Sequence, residues 1–477
     1  MSLGFPEHPT NGDDARHNPA WVSYSKGLPH AVGGEADEAA VAAYLVAIRS
    51  GDAKAFERVP MAGYLKLANP QAAFAFDLIG PDGHQLPIEP PPSFGSASQA
   101  SEAVELYWKA LARDVPFAAY GEHPLIRSAC EELTRQTDFA GPKVGRSVNA
   151  ATVFRGGLPG GLIGPYISQF LYRDVPWTPI RVPQRIRIAA ARKDYLTTAE
   201  DWLAMQNGAV FGVNDYEDVP RYIRTGRDLA EYVHRDFTYQ AFLGACLILF
   251  RLSAPIDGGI PYHHSVSQSG FVTFGPSDIL HLVAVVANVA LKAAWYHKWC
   301  VHRRLRPEEY AARVDAHVSG RGAYPLHADV LNASAVERVA RLHGARFLPQ
   351  SYPEGAPLHP SFPSGHAVIA GACATALKAC FTESFVLPAS VVPSDDGLAL
   401  MPYTTTPLTV GGELDKLAEN VSFGRNFAGI HWRSDATDGL ALGEAVAIEV
   451  LRQMRTTSAE SFAGYALTKF NGERVTV

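Results

Sequence analysis

Several absences narrow the field before any motif is read. The 477-residue chain has only five cysteines, Cys130, Cys246, Cys300, Cys373 and Cys380. They are odd in number and lack metal-site spacing, which points away from a disulfide framework or a thiolate metal cluster. Most lie in apolar runs and read as reduced core residues. There is no surplus of positive charge: a net charge of −6 argues against a nucleic-acid partner and gives no membrane-surface signal. The opening Met1-Ser2-Leu3-Gly4-Phe5-Pro6-Glu7-His8 lacks the basic-then-apolar pattern of a signal peptide, so a cytoplasmic location is expected. Apolar runs such as Leu282 to Leu291 are too short to span a bilayer. No repeat of fixed period and no low-complexity tail is found.

What is present is helical periodicity with long interruptions. Residues 1–34 are polar and rich in Pro and Gly, and an extended arm outside the core is expected there. Helices are expected over 35–50, 98–112, 199–207, 226–250, 277–304 and 365–381, and again from about 413. Ser98 is the expected cap of the second, and Ser434 the cap of the last. Pro307 is expected to end the long helix near Arg306. Residues 80–95, 141–166, 174–185 and 258–275 read as loops, 315–360 as a polar insertion, and 385–412 as a stretch holding two short strands. The fold class is mainly α, with long loops and a few short β-hairpins.

Three segments carry chemistry. The first is His359-Pro360-Ser361-Phe362-Pro363-Ser364-Gly365-His366, followed by an Ala-rich run that reads as a buried helix. Ser364, Gly365 and His366 then lie at a helix N-terminus, where unpaired N–H groups and the helix dipole favour an anion. The second is Lys298-Trp299-Cys300-Val301-His302-Arg303-Arg304-Leu305-Arg306-Pro307, in which Lys298 and Arg306 can converge on one point. Arg303 and Arg304 read as solvated cations at a helix C-terminus. The third runs from Ser422 to Asp435 and holds Arg425, whose guanidinium can fork two hydrogen bonds to an oxyanion, and His431. Each segment alone has a bland structural reading. Together, two arginines, a lysine, a helix N-terminus and two histidines suggest a tetrahedral oxyanion such as phosphate or vanadate. One histidine can bond to its central atom and the other can move protons.

The ordered pattern Lys-x7-Arg-Pro, Pro-Ser-Gly-His and Ser-x2-Arg-x5-His-x3-Asp resembles the acid phosphatase and vanadium haloperoxidase superfamily. Tyr24 to His30, Tyr107 to Phe117, Gly164 to Leu171 and Lys298 to Pro307 resemble the vanadium-dependent bromoperoxidases of algae and cyanobacteria, over nearly the whole chain. The resemblance implies two four-helix bundles with vanadate at one end of a bundle. After the arm, residues 35–477 would form a single domain, with an N-terminal bundle at about 35–255 and an active-site bundle at about 275–477. It implies that His431 is the nitrogen ligand of vanadium. Lys298, Arg306, Ser364, the backbone N–H of Gly365 and Arg425 would hold the vanadate oxygens. His366 would be the acid–base residue, Lys298 the donor that polarises peroxide, and Asp435 a residue that orients a site group. His359 stands where bromoperoxidases carry histidine. His297 stands where the red algal enzymes often carry arginine, which makes it a candidate for tuning halide preference. The implied partners are hydrogen peroxide, a halide and a small organic acceptor, in a homo-oligomer of two or twelve subunits. No structural calcium site is expected. Two alternatives stay open on these residues: an acid phosphatase with His431 as nucleophile, and a non-catalytic phosphate- or vanadate-binding protein.

Overall fold

The computed structural model of the protein describes residues 5–477 and is mostly helical. The helices that position the site are α1 (Glu38–Ser50), α2 (Ala97–Ala112), α3 (Pro124–Arg135), α4 (Gly226–Tyr232), α5 (Gln240–Arg251), α6 (Pro276–Tyr296), α7 (Pro307–Val318), α8 (Ser334–His343), α9 (Gly365–Cys380), α10 (Val410–Phe427) and α11 (Arg433–Thr457). Shorter helices, Ala199–Gln206 among them, and three two-stranded antiparallel hairpins make up the rest of the regular structure among the described residues; the hairpins are at Val175–Trp177 with Ile180–Val182, Val391–Pro393 with Leu400–Pro402, and Ala466–Thr468 with Arg474–Thr476.

α9 is the central helix. It packs against α6, α10 and α11, and nearly all its residues are buried. Its sequence explains the burial: Ala and Gly dominate, so neighbouring backbones come close. A Cβ at Gly371 would lie 2.2 Å from the Leu440 carbonyl oxygen, and one at Gly443 would lie 2.0 Å from the Val368 carbonyl oxygen. α9 and α11 therefore touch backbone to backbone at two glycines. α6 contributes Ile279, Leu282, Val283, Val286, Val289 and Ala290 to the same interior. With the turn that follows it, this segment runs from Pro276 to His302, a 27-residue stretch long and apolar enough to cross a membrane by length and composition. It is longer than the Leu282–Leu291 run suggested.

Several boundaries differ from expectation, each for a tertiary reason. The expected helix over 226–250 is two helices, α4 and α5. Residues 233–239 break it because their polar groups have distant partners: His234 bonds Glu354, Asp236 bonds His366, and the Val233 carbonyl accepts from Arg425. The long helix does not run to Arg304. After Tyr296 it widens into a π-helical turn, His297–His302, and stops at Arg303 in the left-handed region (φ 43°). Pro307 does not end that helix; it is the first residue of α7, where a missing N–H costs nothing. Ser96 rather than Ser98 caps α2, accepting from Gln99 N at 3.1 Å.

Residues 5–34 do not form an arm outside the core; the first four residues of the expected arm lie outside the described residues. Ala20, Val22, Tyr24 and Leu28 are buried, and the Lys26 ammonium is buried at 2.7 Å from Glu308. The segment 315–360 is not a surface insertion either. α8 packs on α2, and residues 347–353 and 360–365 are buried. α8 thus joins helices of the expected N-terminal bundle, and one apolar cluster extends from Val22 to Val477.

His297 shows what burial does to an imidazole here. It has no exposed surface, its Nε2–H donates to the Leu86 carbonyl at 2.8 Å, and its ring lies against His8 and His302. Burial holds its pKa down at about 4. Below about pH 6.5 the unfolded chain takes up a proton that the folded chain refuses. Wild type should therefore lose stability relative to His297→Gln by about 1.4 kcal/mol per pH unit between pH 6.5 and pH 4. Denaturant midpoints at successive pH values would show this, and parallel curves for the two proteins would rule it out.

Candidate active site

The three motif segments meet at one end of α9. Lys298 comes from the π-helical turn, and Arg306 caps the N-terminus of α7. Ser364 and Gly365 open α9, and Arg425 sits in the last turn of α10. His431 lies in the link between α10 and α11. The Lys298 ammonium donates to the carbonyls of Pro360 and Ser361, each at 2.8 Å. Arg306 spreads its guanidinium over the site: Nε to the His359 carbonyl at 3.0 Å, NH1 to the Ile430 carbonyl at 2.8 Å and to His431 Nε2 at 2.9 Å, and NH2 to His359 Nδ1 at 3.0 Å. Arg425 donates to the Val233 carbonyl and lies over the Tyr352 ring, and its Nε is buried without a partner.

Asp435 locks the arrangement. Its Oδ2 accepts from His431 Nδ1 at 2.7 Å, from the Trp432 backbone N–H at 3.0 Å and from the Ser361 hydroxyl. Its Oδ1 accepts from Arg304 at 2.9 Å, and its backbone carbonyl accepts from Ser364 N at 2.9 Å. With Nδ1 protonated toward Asp435, His431 presents Nε2 as a lone pair to the cluster of cations. Ser434 does not cap α11; Trp432 holds that position, and Ser434 bonds Glu102 instead.

His366 stands at the rim. Its side chain is 27% exposed, and its Nε2 is 2.9 Å from Asp236 Oδ1. Burial opposes the charge of Asp236, but His366 and Arg425 outweigh it and hold that carboxyl below its usual range. His359 packs against Trp295, with ring centroids 4.8 Å apart. A Cβ at Gly365 would meet Leu291 and Trp295 at 3.4 and 3.5 Å, so this wall of the site is apolar.

A family model described as the VCPO second helical-bundle domain matches residues 279–459. The chain is 34% identical to the vanadium-dependent bromoperoxidase of Corallina officinalis, with 98% of this chain and 92% of the relative covered. It is 36% identical to that of Ascophyllum nodosum, with 95% and 86% covered. The solved homohexameric structure of the second vanadate-dependent bromoperoxidase from Ascophyllum nodosum superposes with a TM-score of 0.92, at 29% identity, over 99% of this chain and 86% of that one. The chain belongs to the vanadium-dependent bromoperoxidase family.

For a vanadium-dependent bromoperoxidase, the charge arrangement is the telling feature. Lys298, Arg306 and Arg425 are all buried, and among the described residues none has a carboxylate within 4.0 Å. The neighbouring cations are different. Arg304 is paired with Asp435 and Glu102, and Arg433 with Glu105. Uncompensated charge of this kind costs several kcal/mol per ion. Burial, then the adjacent Arg306, drives the Lys298 pKa well down, with Asp435 opposing. Burial takes Arg306 down to about 10, against the pull of Asp435. Burial, followed by Arg306 and Lys298, keeps both His359 and His431 neutral, well below the usual imidazole range. A donor set of ammonium, guanidinium, hydroxyl and N–H groups around one lone pair fits a tetrahedral oxyanion such as vanadate.

The structure brings together Lys298, Arg306, His359, Ser364, Gly365, His366, Arg425 and His431. The His297 ring contacts Leu86, His8 and His302, and none of these is a member of the cluster. Arg304 is not a solvated cation but a buried one. Sequence reasoning missed its role, along with Asp236, Glu102 and Glu105. The two glutamates gave a signal, since they stand in a helix otherwise rich in Ala and apolar residues. Asp236 gave none beyond the polar run His234-Arg235-Asp236 inside an apolar stretch.

An anion that relieves this repulsion binds only the folded state. Orthovanadate or inorganic phosphate at a hundredfold excess over Kd should stabilise the metal-free protein by about 2.7 kcal/mol. A thermal melt would show a rise of several degrees, and Arg425→Ala should shrink it. An unmoved midpoint with both anions would remove the oxyanion site.

Proposed function

We propose that the chain is a vanadate-dependent haloperoxidase that oxidises bromide, and iodide with it, using hydrogen peroxide. The product is hypohalous acid, which halogenates small organic acceptors. One observation carries this reading: three buried cations without carboxylate partners surround a neutral His431 Nε2 whose tautomer Asp435 fixes. Family membership sets the halide chemistry, and the donor set accepts the cofactor.

Vanadate, when held there, supplies a Lewis acid that activates peroxide without changing oxidation state. The chain does the rest. His431 Nε2 would hold the central atom. Lys298, Arg306, Arg425, the Ser364 hydroxyl and the Gly365 N–H would hold the oxygens and offset their charge, preorganised before reaction. Lys298 has its ammonium fixed by two carbonyls, so its remaining N–H is directed and polarises the peroxide. Asp236 holds one nitrogen of His366 and leaves Nδ1 to take a proton from peroxide and return it. His359, kept neutral by burial and the neighbouring cations, bonds Arg306 and shares the halide side of the site with Trp295.

Assembly as a homo-oligomer is part of the proposal. The solved relative from Ascophyllum nodosum is a homohexamer. The expected count for this chain is two or twelve, and light scattering decides among these numbers.

His366→Ala should cut bromide oxidation by roughly a hundredfold, the usual scale of lost acid–base help. Asp236→Asn should cost less and shift the pH profile of kcat, because it removes the carboxylate charge that faces His366 while leaving the histidine in place. His431→Ala should abolish tight vanadate binding in a titration of the metal-free protein. Near-normal turnover of His366→Ala would take that histidine out of the chemistry. The rival phosphatase is separated by one addition: vanadate should switch on bromination, whereas it would inhibit a phosphatase.

A further inference from the structure

A second cavity lies on the far side of α10 from the catalytic cluster. It has a volume of about 700 Å³, within the range of small-molecule sites. Phe117 and Tyr166 line it as a stacked pair, with centroids 4.0 Å apart and planes within 4°, so each ring has one outer face. Both rings pack at their back on Phe427, two residues beyond Arg425, so the helix separates this cavity from the oxyanion cluster. Tyr172 and Tyr403 add further aromatic surface. The hydroxyls of Tyr166 and Tyr172 are already donated, to the carbonyls of Phe154 and Ile223. These two rings therefore offer the cavity mainly carbon.

Two guanidinium groups line the same space. Arg155 lies 4.8 Å from the Tyr166 ring centroid and bonds only the carbonyls of Gly161 and Gly164. Among the described residues no carboxylate lies within 4.0 Å of it. Arg224 donates one nitrogen to the Asp395 backbone carbonyl at 2.7 Å. Its Nε is buried without a hydrogen-bond partner, 4.0 Å from an Asp228 carboxylate that is committed to the backbone N–H groups of Arg224 and Thr225. Against them stands one acidic wall residue, the exposed Asp395. The cavity thus pairs an aromatic wall with two guanidinium groups, and the NH2 group of Arg224 has no hydrogen-bond partner among the described residues.

We propose that this cavity is a binding site for a small planar aromatic carboxylate, separate from the oxyanion site. The ring stacks on the outer face of Phe117. The carboxylate accepts from the Arg224 NH2 group, which has no hydrogen-bond partner among the described residues, with Arg155 alongside. Charge-assisted hydrogen bonds of this kind are the strong ones.

The intact protein is titrated with 2-naphthoate by calorimetry in saturating inorganic phosphate, which occupies the catalytic cluster. Saturable binding of one molecule per chain is expected, with 2-naphthol binding about tenfold more weakly for want of the carboxylate. Ala118 is an exposed wall residue, so Ala118→Trp fills the cavity without disturbing the core; it should weaken binding at least about tenfold and leave bromide oxidation at the wild-type level. Arg224→Gln should weaken 2-naphthoate about tenfold and leave 2-naphthol unchanged. Absence of saturable heat, displacement by phosphate, equal affinity for the acid and the alcohol, or unchanged affinity in Ala118→Trp each overturns the proposal. Because bromide oxidation is read separately, these outcomes are independent of the haloperoxidase reading.

Discussion

The site depends on one carboxylate. Asp435 touches all three motif segments at once: Ser361 and the Ser364 backbone from the first, Arg304 from the second, and His431 in its own. It also sets the chemistry, because the proton it holds on His431 Nδ1 leaves a lone pair on Nε2, which Arg306 meets at 2.9 Å. Removing one partner of a buried charged network typically costs 3–5 kcal/mol. Losing Asp435 would therefore loosen the assembly and spoil the ligand in one step.

Around that carboxylate the protein sorts its buried cations into two kinds. Lys26, Arg304 and Arg433 each meet a carboxylate at hydrogen-bond distance, with Glu308, Asp435 and Glu102, and Glu105 respectively. These pairs hold the N-terminal segment, the π turn and the start of α11 against the rest. Lys298, Arg306 and Arg425 are as deeply buried but bond carbonyls and imidazoles, whose dipoles do not cancel a charge. The chain thus keeps a local excess of positive potential in a low dielectric, where an oxyanion is bound more strongly than it would be in water. Burial, reinforced by the same field, keeps His359 and His431 neutral.

Much of this was legible in the residues, and what was not legible has physical causes. The cluster could be read because its members belong to short ordered motifs, and the start of α9 because Ser364, Gly365 and the Ala run state a helix start locally. Arg304 was misread because its sequence neighbours are other cations. Only the fold shows that Glu102, on a helix two hundred residues earlier, faces it. The break between α4 and α5 was hidden for a similar reason. The apolar pattern continues through it, and the groups that stop the helix, Glu354, His366 and Arg425, lie elsewhere in the chain. His297 was tied to halide preference by the resemblance, in which red algal enzymes often carry arginine there, but in the widened turn its ring meets Leu86, His8 and His302. Ser98 and Ser96 differ by two residues, and local preference does not distinguish them.

Gly371 and Gly443 bring out a last consequence. They let two helices meet through peptide carbonyls, so the relative register of α9 and α11 is fixed by atoms that carry no side chain. α9 begins with Ser364 and Gly365, and α11 begins just after His431. A methyl group added at either glycine would act as a wedge several turns away from the reacting atoms and displace both helix starts together. In a mutational scan such positions would appear as sensitive as ligands, although they contribute nothing but thinness.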